Sequence, residues 1–148
     1  MEELTLRRAA PCDAGLLAEL MLLLWPGHTA AALTAENDAL LRDGGQALFL
    51  AFCGGEAAGF AHCALRHDYV EGCGDGPVGY MEGLYVRPAQ RRRGVARALT
   101  RACEDWARAQ GCTEMGSDCE LTNTLSPLFH AGLGFAEVNR VICFRKAL

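Results

Sequence analysis

The chain has no Cys-x-x-Cys pair and no cluster of histidines, although it carries eight cysteines: Cys12, Cys53, Cys63, Cys73, Cys103, Cys112, Cys119 and Cys143. Zinc sites need ligands at close, regular spacing, so no metal centre is expected. The even count would suit disulfides, but the cysteines inside ALFLAFC and VICF sit in apolar runs and read as small buried hydrophobes. Long apolar stretches are also missing. The richest, LLAELMLLLW, is too short to span a bilayer and contains Glu19. The opening MEELTLRRAAP lacks the basic-then-apolar layout of an export signal. Net positive charge is missing too: the formal charge is −4, so no broad positive field exists to hold a polyanion. These absences predict a reduced, cytoplasmic protein with neither membrane nor nucleic acid as its partner. A small cationic substrate is compatible with the charge.

What is present is enough for one packed core. The 148 residues are 51% hydrophobic and 22% charged, which predicts a single domain over 1–148. No linker, repeat or low-complexity tract divides it. ELTLRRA alternates as a strand, and CDAGLLAELMLLLW reads as a helix N-capped at Asp13 and ended by Pro26 and Gly27. TAAALTAENDALLRD reads as a second helix, and two strands follow around Gly54–Gly55. VGYMEGLYV is a strand with an internal Gly83, which suggests a bulge or a close backbone approach. RRRGVARALTRACEDWARAQG is the clearest helix, with Val95, Ala98, Leu99, Ala102, Cys103 and Trp106 on one face. CTEMGSDCE reads as a strand, TNTLSPLFHAGLG as a short helix, and FAEVNRVICFRKAL as one or two closing strands. The order β-α-α-β-β-β-α-β-α-β implies an α/β (α+β) protein with a mixed sheet flanked by helices.

The chemistry concentrates where the strand through Val86 turns into that clearest helix. Gly94 and Ala96 remove side-chain bulk at the helix start, where free N–H groups and the helix dipole favour a pyrophosphate. Arg91, Arg92 and Arg93 can add phosphate-pairing charge. A solvated basic helix start is the plainer reading of the same hexapeptide. Glu82 interrupts an otherwise apolar strand, and a carboxylate buried there needs a partner. Asp118 ends a strand, where α/β sites tend to form. Trp25 closes an apolar helix and is compatible with the core; Tyr69 is compatible with an ordinary strand aromatic.

The stretch YVRPAQRRRGVARALTRACEDWARAQGC resembles the acetyl-CoA loop and helix of GCN5-related N-acetyltransferases, in which Gln/Arg-x-x-Gly-x-Gly/Ala is met by Arg91, Gly94 and Ala96. Asn123, followed by a helix ending in Gly134-Phe135, resembles that family's second signature, and the likeness covers essentially the whole chain. Leu24-Trp25-Pro26, the Arg66–Val70 segment, Pro77–Val86 and Ser117-Asp118 are similar to the aminoglycoside 6′-N-acetyltransferases within it. This likeness implies the family's fold, with a splayed strand pair at the acetyl-CoA site and acetyl-CoA as acetyl donor. It implies cofactor contacts from Leu84, Tyr85 and Val86, from Arg92, Arg93, Gly94, Val95, Ala96 and Arg97, and from Asn123. It implies substrate contacts from Trp25, Tyr69, Glu82 and Asp118, and from an acid just after Gly-Phe, for which Asn139 aligns best while Glu137 lies two residues earlier.

Residue chemistry agrees with that substrate class, since aminoglycosides combine ammonium groups with sugar rings. Glu82 and Asp118 supply charge, and Trp25 and Tyr69 supply flat surface. The expected reaction is direct acetyl transfer, with Glu82 or Asp118 accepting the amine proton and the amide near Leu84 facing the oxyanion. His130 stands where the wider family often has a Tyr, and is a candidate acid for the leaving thiolate, alongside a purely structural role. Acetylation of another amine (a polyamine, an amino acid or a protein N-terminus) and a non-catalytic acyl-CoA sensor are the alternatives. The closing strands offer an apolar edge for a second copy, so a homodimer is expected.

Overall fold

The computed structural model describes residues 2–148. In chain order the elements are β1 (Leu4–Arg8), α1 (Ala14–Leu24), α2 (Ala30–Leu41), β2 (Gln46–Cys53), β3 (Glu56–Arg66), β4 (Val78–Val86), α3 (Val95–Ala109), β5 (Met115–Ser117) and α4 (Ser126–Gly132). The strands form one sheet in sequence order, antiparallel up to β4, with β5 added parallel to β4. It is the mixed α/β sheet that the pattern predicts.

Alternation along the strands explains the two cores. On one face Leu48, Leu50 and Phe60 pack against Leu17, Leu20 and Met21 of α1 and Leu33 of α2. On the other, Ala47, Ala51, Ala61 and Cys63 pack against Val95, Leu99, Cys103 and Trp106 of α3. Burying each large aliphatic or aromatic side chain of this kind contributes about 1.5–3 kcal/mol. Thr29 caps α2 by accepting from Ala32 N at 3.2 Å.

Three local expectations are corrected. Asp13 stands at the N-terminus of α1 but bonds no helix amide. Instead Arg7 donates to both of its oxygens at 2.7 and 2.8 Å, and Ala10 N donates at 2.8 Å. The Arg7 guanidinium holds this buried carboxyl below the usual range, because a carboxylate removed from water needs its counter-charge. Second, residues 136–148 form no closing strand within the chain. They run on exposed, with Val138, Val141, Ile142 and Phe144 facing outward. Extended backbone becomes a strand only against an edge that can pair with it, and β5 is just three residues long. Third, Cys143 of that tail is exposed, whereas Cys53 is buried as read, and Cys63, Cys103 and Cys112 are buried as well.

The sheet is irregular at one place that matters. β3 and β4 pair His62 with Gly83 and Cys63 with Met81, so Glu82 is an extra residue opposite nothing: a β-bulge. The β4–β5 ladder stops at Met81 with Ser117, and β4 continues through Val86 paired only with β3. The two strands therefore part at Glu82, which gives the opened strand pair its shape.

Candidate active site

The bulge turns Glu82 toward the face covered by α1 and α2. There it lines a cavity of about 290 Å³ together with Trp25, His28, Glu36, Asn37 and His62. Trp25 enters this wall because Pro26 stops α1 behind it, and the indole packs edge-on to Phe60, with centroids 6.2 Å apart. His62 bonds Gln46 through Nε2 at 2.7 Å. Burial pulls the His62 pKa down, with Glu82 pulling the other way, so the ring resists protonation.

Glu82 has a partner that the sequence reading missed. Arg66 Nε donates to Glu82 Oε1 at 3.2 Å, and Nη2 donates to Oε1 at 2.9 Å and Oε2 at 3.1 Å. The same guanidinium lies 3.5 Å over the centroid of the Tyr80 ring. Tyr80 O–H in turn donates to Asp118. Burial first and the Asp118 carboxylate second push the Tyr80 phenol up, so it stays protonated and remains the donor. Glu82 and Asp118 are thus joined as one unit through Arg66 and Tyr80. The signal was the cross-strand register: Tyr80 pairs with Ala64, and Arg66 sits diagonally from it.

Tyr69 and Asn139 form a second group at the surface. Tyr69 O–H donates to Glu71 at 3.0 Å, and Asn139 Nδ2 donates to Glu71 at 2.7 Å. Glu71 pushes the exposed Tyr69 phenol up. Glu137 is turned away into a pair with Arg140, which holds its carboxyl down. Of the two tail positions, Asn139 is the one brought beside Tyr69.

The other face of the parted strands carries the expected cofactor residues. Leu84 and Val86 pack with Ala96 and Val95 on the α3 side, while Tyr85 packs on the α1 side. Gly94 begins α3 at φ +80°, a left-handed conformation that Gly adopts without the penalty of a Cβ. No side chain caps this helix. The amides of Val95, Ala96 and Arg97 have no protein acceptor among the described residues, and such amides suit a diphosphate. The arginines are less uniform than their run suggests. Arg91 is drawn back to donate to Val86 O at 2.9 Å, Arg93 pairs with Gln90 and Glu2, and Arg97 ties α3 to Gly132 O of α4. Arg92 is exposed at φ +63°. Asn123 accepts from Ser126 N at 3.1 Å and so anchors the start of α4.

His130 of α4 reaches back to β5. Its Nδ1 lies 2.8 Å from Ser126 O, a pure acceptor, which puts the ring proton on Nδ1. Nε2, 2.7 Å from Ser117 Oγ, then accepts the hydroxyl proton. The neutral ring has no proton to give at Nε2, and Ser117 is a further residue the sequence reading did not single out. No group of metal-ligating side chains occurs among the described residues.

Residues 17–135 match the family model described as the acetyltransferase (GNAT) family. The chain belongs to the GNAT family. It is 46% identical over 123 residues to an aminoglycoside N(6′)-acetyltransferase type 1 of Salmonella typhimurium, covering 83% of this chain and 85% of the relative. To the enzyme of the same name from Stenotrophomonas maltophilia it is 43% identical, covering 97% and 94%. Among solved structures it superimposes on AAC(6′)-Iy in complex with the bisubstrate analog CoA-S-monomethyl-acetylneamine with a TM-score of 0.93 and 40% identity, covering 99% of both chains. The GNAT chain therefore shares its fold with a protein solved around a CoA conjugate. Its free α3 amides fit the same acetyl-CoA donor.

Proposed function

We infer that this GNAT enzyme transfers the acetyl group of acetyl-CoA to the 6′-amine of an aminoglycoside, and so confers resistance to these antibiotics. The observation that carries the reading is the joined pair of acids, Glu82 and Asp118, beside the Trp25 wall on one side of the parted strands. The free amides at the start of α3 lie on the other side. The named relatives support the same substrate class. In this reading Glu82 and Asp118 take the charge of two ammonium groups, and one of them, directly or through a water, accepts the proton of the attacking amine. Trp25, with Tyr69 and Asn139 from the surface group, gives the sugar rings flat and polar contacts. Leu84 N–H, beyond the bulge, serves the oxyanion. When bound, acetyl-CoA supplies the thioester; the α3 amides with Arg92 hold its diphosphate, and Asn123 shapes the mouth through α4. Protonation of the departing thiolate falls to Ser117 and His130 acting in line, which requires His130 as imidazolium.

The setting is proposed to be cytoplasmic, in line with eight cysteines that are all free thiols. No helix among the described residues is long and apolar enough to cross a membrane. The enzyme is proposed to work as a homodimer in which a second copy covers the exposed tail of residues 136–148. The test of function is acetylation of kanamycin or tobramycin, with the modified amine located by NMR. Turnover of polyamines, amino acids or peptides but no aminoglycoside transfers the reading to that amine. Tight acetyl-CoA binding without turnover of any amine makes the chain a sensor.

A further inference from the structure

Glu82 and Asp118 stand on neighbouring strands one residue beyond the last ladder pair, Met81 with Ser117. Backbone hydrogen bonds therefore do not fix the gap between them. Side chains do. Arg66 belongs to the ordered β3–β4 ladder, paired with Val78, so its root is held. Its edge forks onto Glu82 and its flat face covers Tyr80. Tyr80 is pinned from behind by β5, where a Cβ on Gly116 would sit only 3.0 Å from its ring. From that fixed ring the hydroxyl holds Asp118.

We propose that Arg66 is a positioning residue that sets the spacing of the two carboxylates, and thereby the spacing of the ammonium pair an amine substrate must present. This rests on the aminoglycoside reading above. Only a guanidinium offers a planar fork to a carboxylate and a flat cationic face to an aromatic ring at the same time. A lysine keeps the charge and loses both geometries. Charge makes the signature unusual. Two carboxylates and one guanidinium leave a single negative charge, so removing Arg66 makes the cluster more attractive to a cation while releasing its geometry. Ground-state binding then holds or tightens as the chemical step slows.

The experiment uses the full chain with acetyl-CoA and tobramycin, comparing Arg66→Gln, Arg66→Lys and Glu82→Gln, each alone, and Arg66→Gln combined with Glu82→Gln. Expected is a fall in kcat of about tenfold or more for both Arg66 variants, no rise in tobramycin KM for Arg66→Gln, and an unchanged KM for acetyl-CoA. On the Glu82→Gln background the Arg66→Gln change adds less than about twofold, because the residue acts through Glu82. Rescue of kcat by lysine overturns the proposal, since charge alone would then suffice. So does a fully multiplicative double variant, or a kcat that stays at the wild-type level. If Arg66→Gln does not fold, Tyr80→Phe decides: it keeps the stack and frees Asp118. It must lower kcat with acetyl-CoA KM unchanged, and an unaltered kcat sinks the idea. A wild-type chain that acetylates no aminoglycoside overturns the proposed function and this inference together; an active wild type with indifferent variants overturns the inference alone.

Discussion

The indole of Trp25 lies so close over Gly83 that a Cβ on Gly83 would fall 2.7 Å from its Cη2. Glycine is thus required next to the bulge by a neighbour on the α1 side, and the indole lines the same cavity as Glu82. Gly83→Ala should displace the indole and lower kcat/KM for tobramycin at least tenfold, equivalent to about 1.4 kcal/mol, with the dissociation constant for CoA within about twofold. Steady-state kinetics beside calorimetry reads both. Equal losses in the two would place Trp25 in the core alone.

Neutralising either acid should weaken use of the aminoglycoside far more than use of acetyl-CoA. Leaving a substrate ammonium without its carboxylate costs about 2–5 kcal/mol, or about 30-fold and more in kcat/KM. Glu82→Gln and Asp118→Asn keep shape, so melting temperatures should stay near wild type. Rising salt should raise the wild-type KM through screening. If both variants lose thermal stability and keep specific activity, the acids are structural.

Gly94→Glu should abolish CoA binding while the fold survives. Nothing lies within 4 Å of where a Cβ would sit, so the only local cost is the left-handed φ, about 1–2 kcal/mol. The added carboxylate would stand among the amides proposed for the diphosphate. Calorimetric titration of the folded variant with CoA checks this, and wild-type affinity removes that assignment.

His62 should give the enzyme a pH-dependent stability. Burial holds its folded pKa below the ordinary imidazole value of about 6.5. As pH falls through that value the unfolded chain takes up a proton that the folded chain refuses. The stabilisation is therefore complete above about pH 6.5 and is lost as pH falls through the folded value. Melting temperatures at several pH values between about 7.5 and 5 should drop more steeply for wild type than for His62→Gln. Parallel curves would mean that other groups set the slope.

Sedimentation at micromolar concentration should give about twice the 15.9 kDa chain mass. Removing residues 140–148 should shift the protein toward monomer. A single 15.9 kDa species for the full chain contradicts the dimer.

The long elements were legible because period and punctuation agree. α3 shows six apolar positions on one face and a glycine at its start, and the Gly83 interruption announced the bulge. Glu82 was legible because a carboxylate in an apolar strand demands a partner, but the partner was not. Arg66 reaches Glu82 only through a register set sixteen residues apart and shifted by the bulge, which no local pattern encodes. Asp13 looked like a cap because caps are the common use of Asp before a helix; Arg7, arriving from β1, outbid the amides. The closing strands failed for a different reason: alternation states a willingness to pair, and the edge at the β5 end of the sheet is only three residues long.

The unpaired Glu82 also changes which way β4 counts. Before it, the odd residues Gly79 and Met81 look toward α3; after it, the even residues Leu84 and Val86 do, while Gly83 and Tyr85 face α1. The strand is written in two frames joined at one residue. Deleting Glu82 would therefore not merely remove a carboxylate. It would merge the frames into one regular alternation, with Met81, Leu84 and Val86 still toward α3 and Gly83 and Tyr85 still toward α1, and it would erase the bulge itself. A substitution at this position changes the chemistry of a bulge that stays, whereas a one-residue deletion straightens the strand and removes the irregularity at which β4 leaves β5.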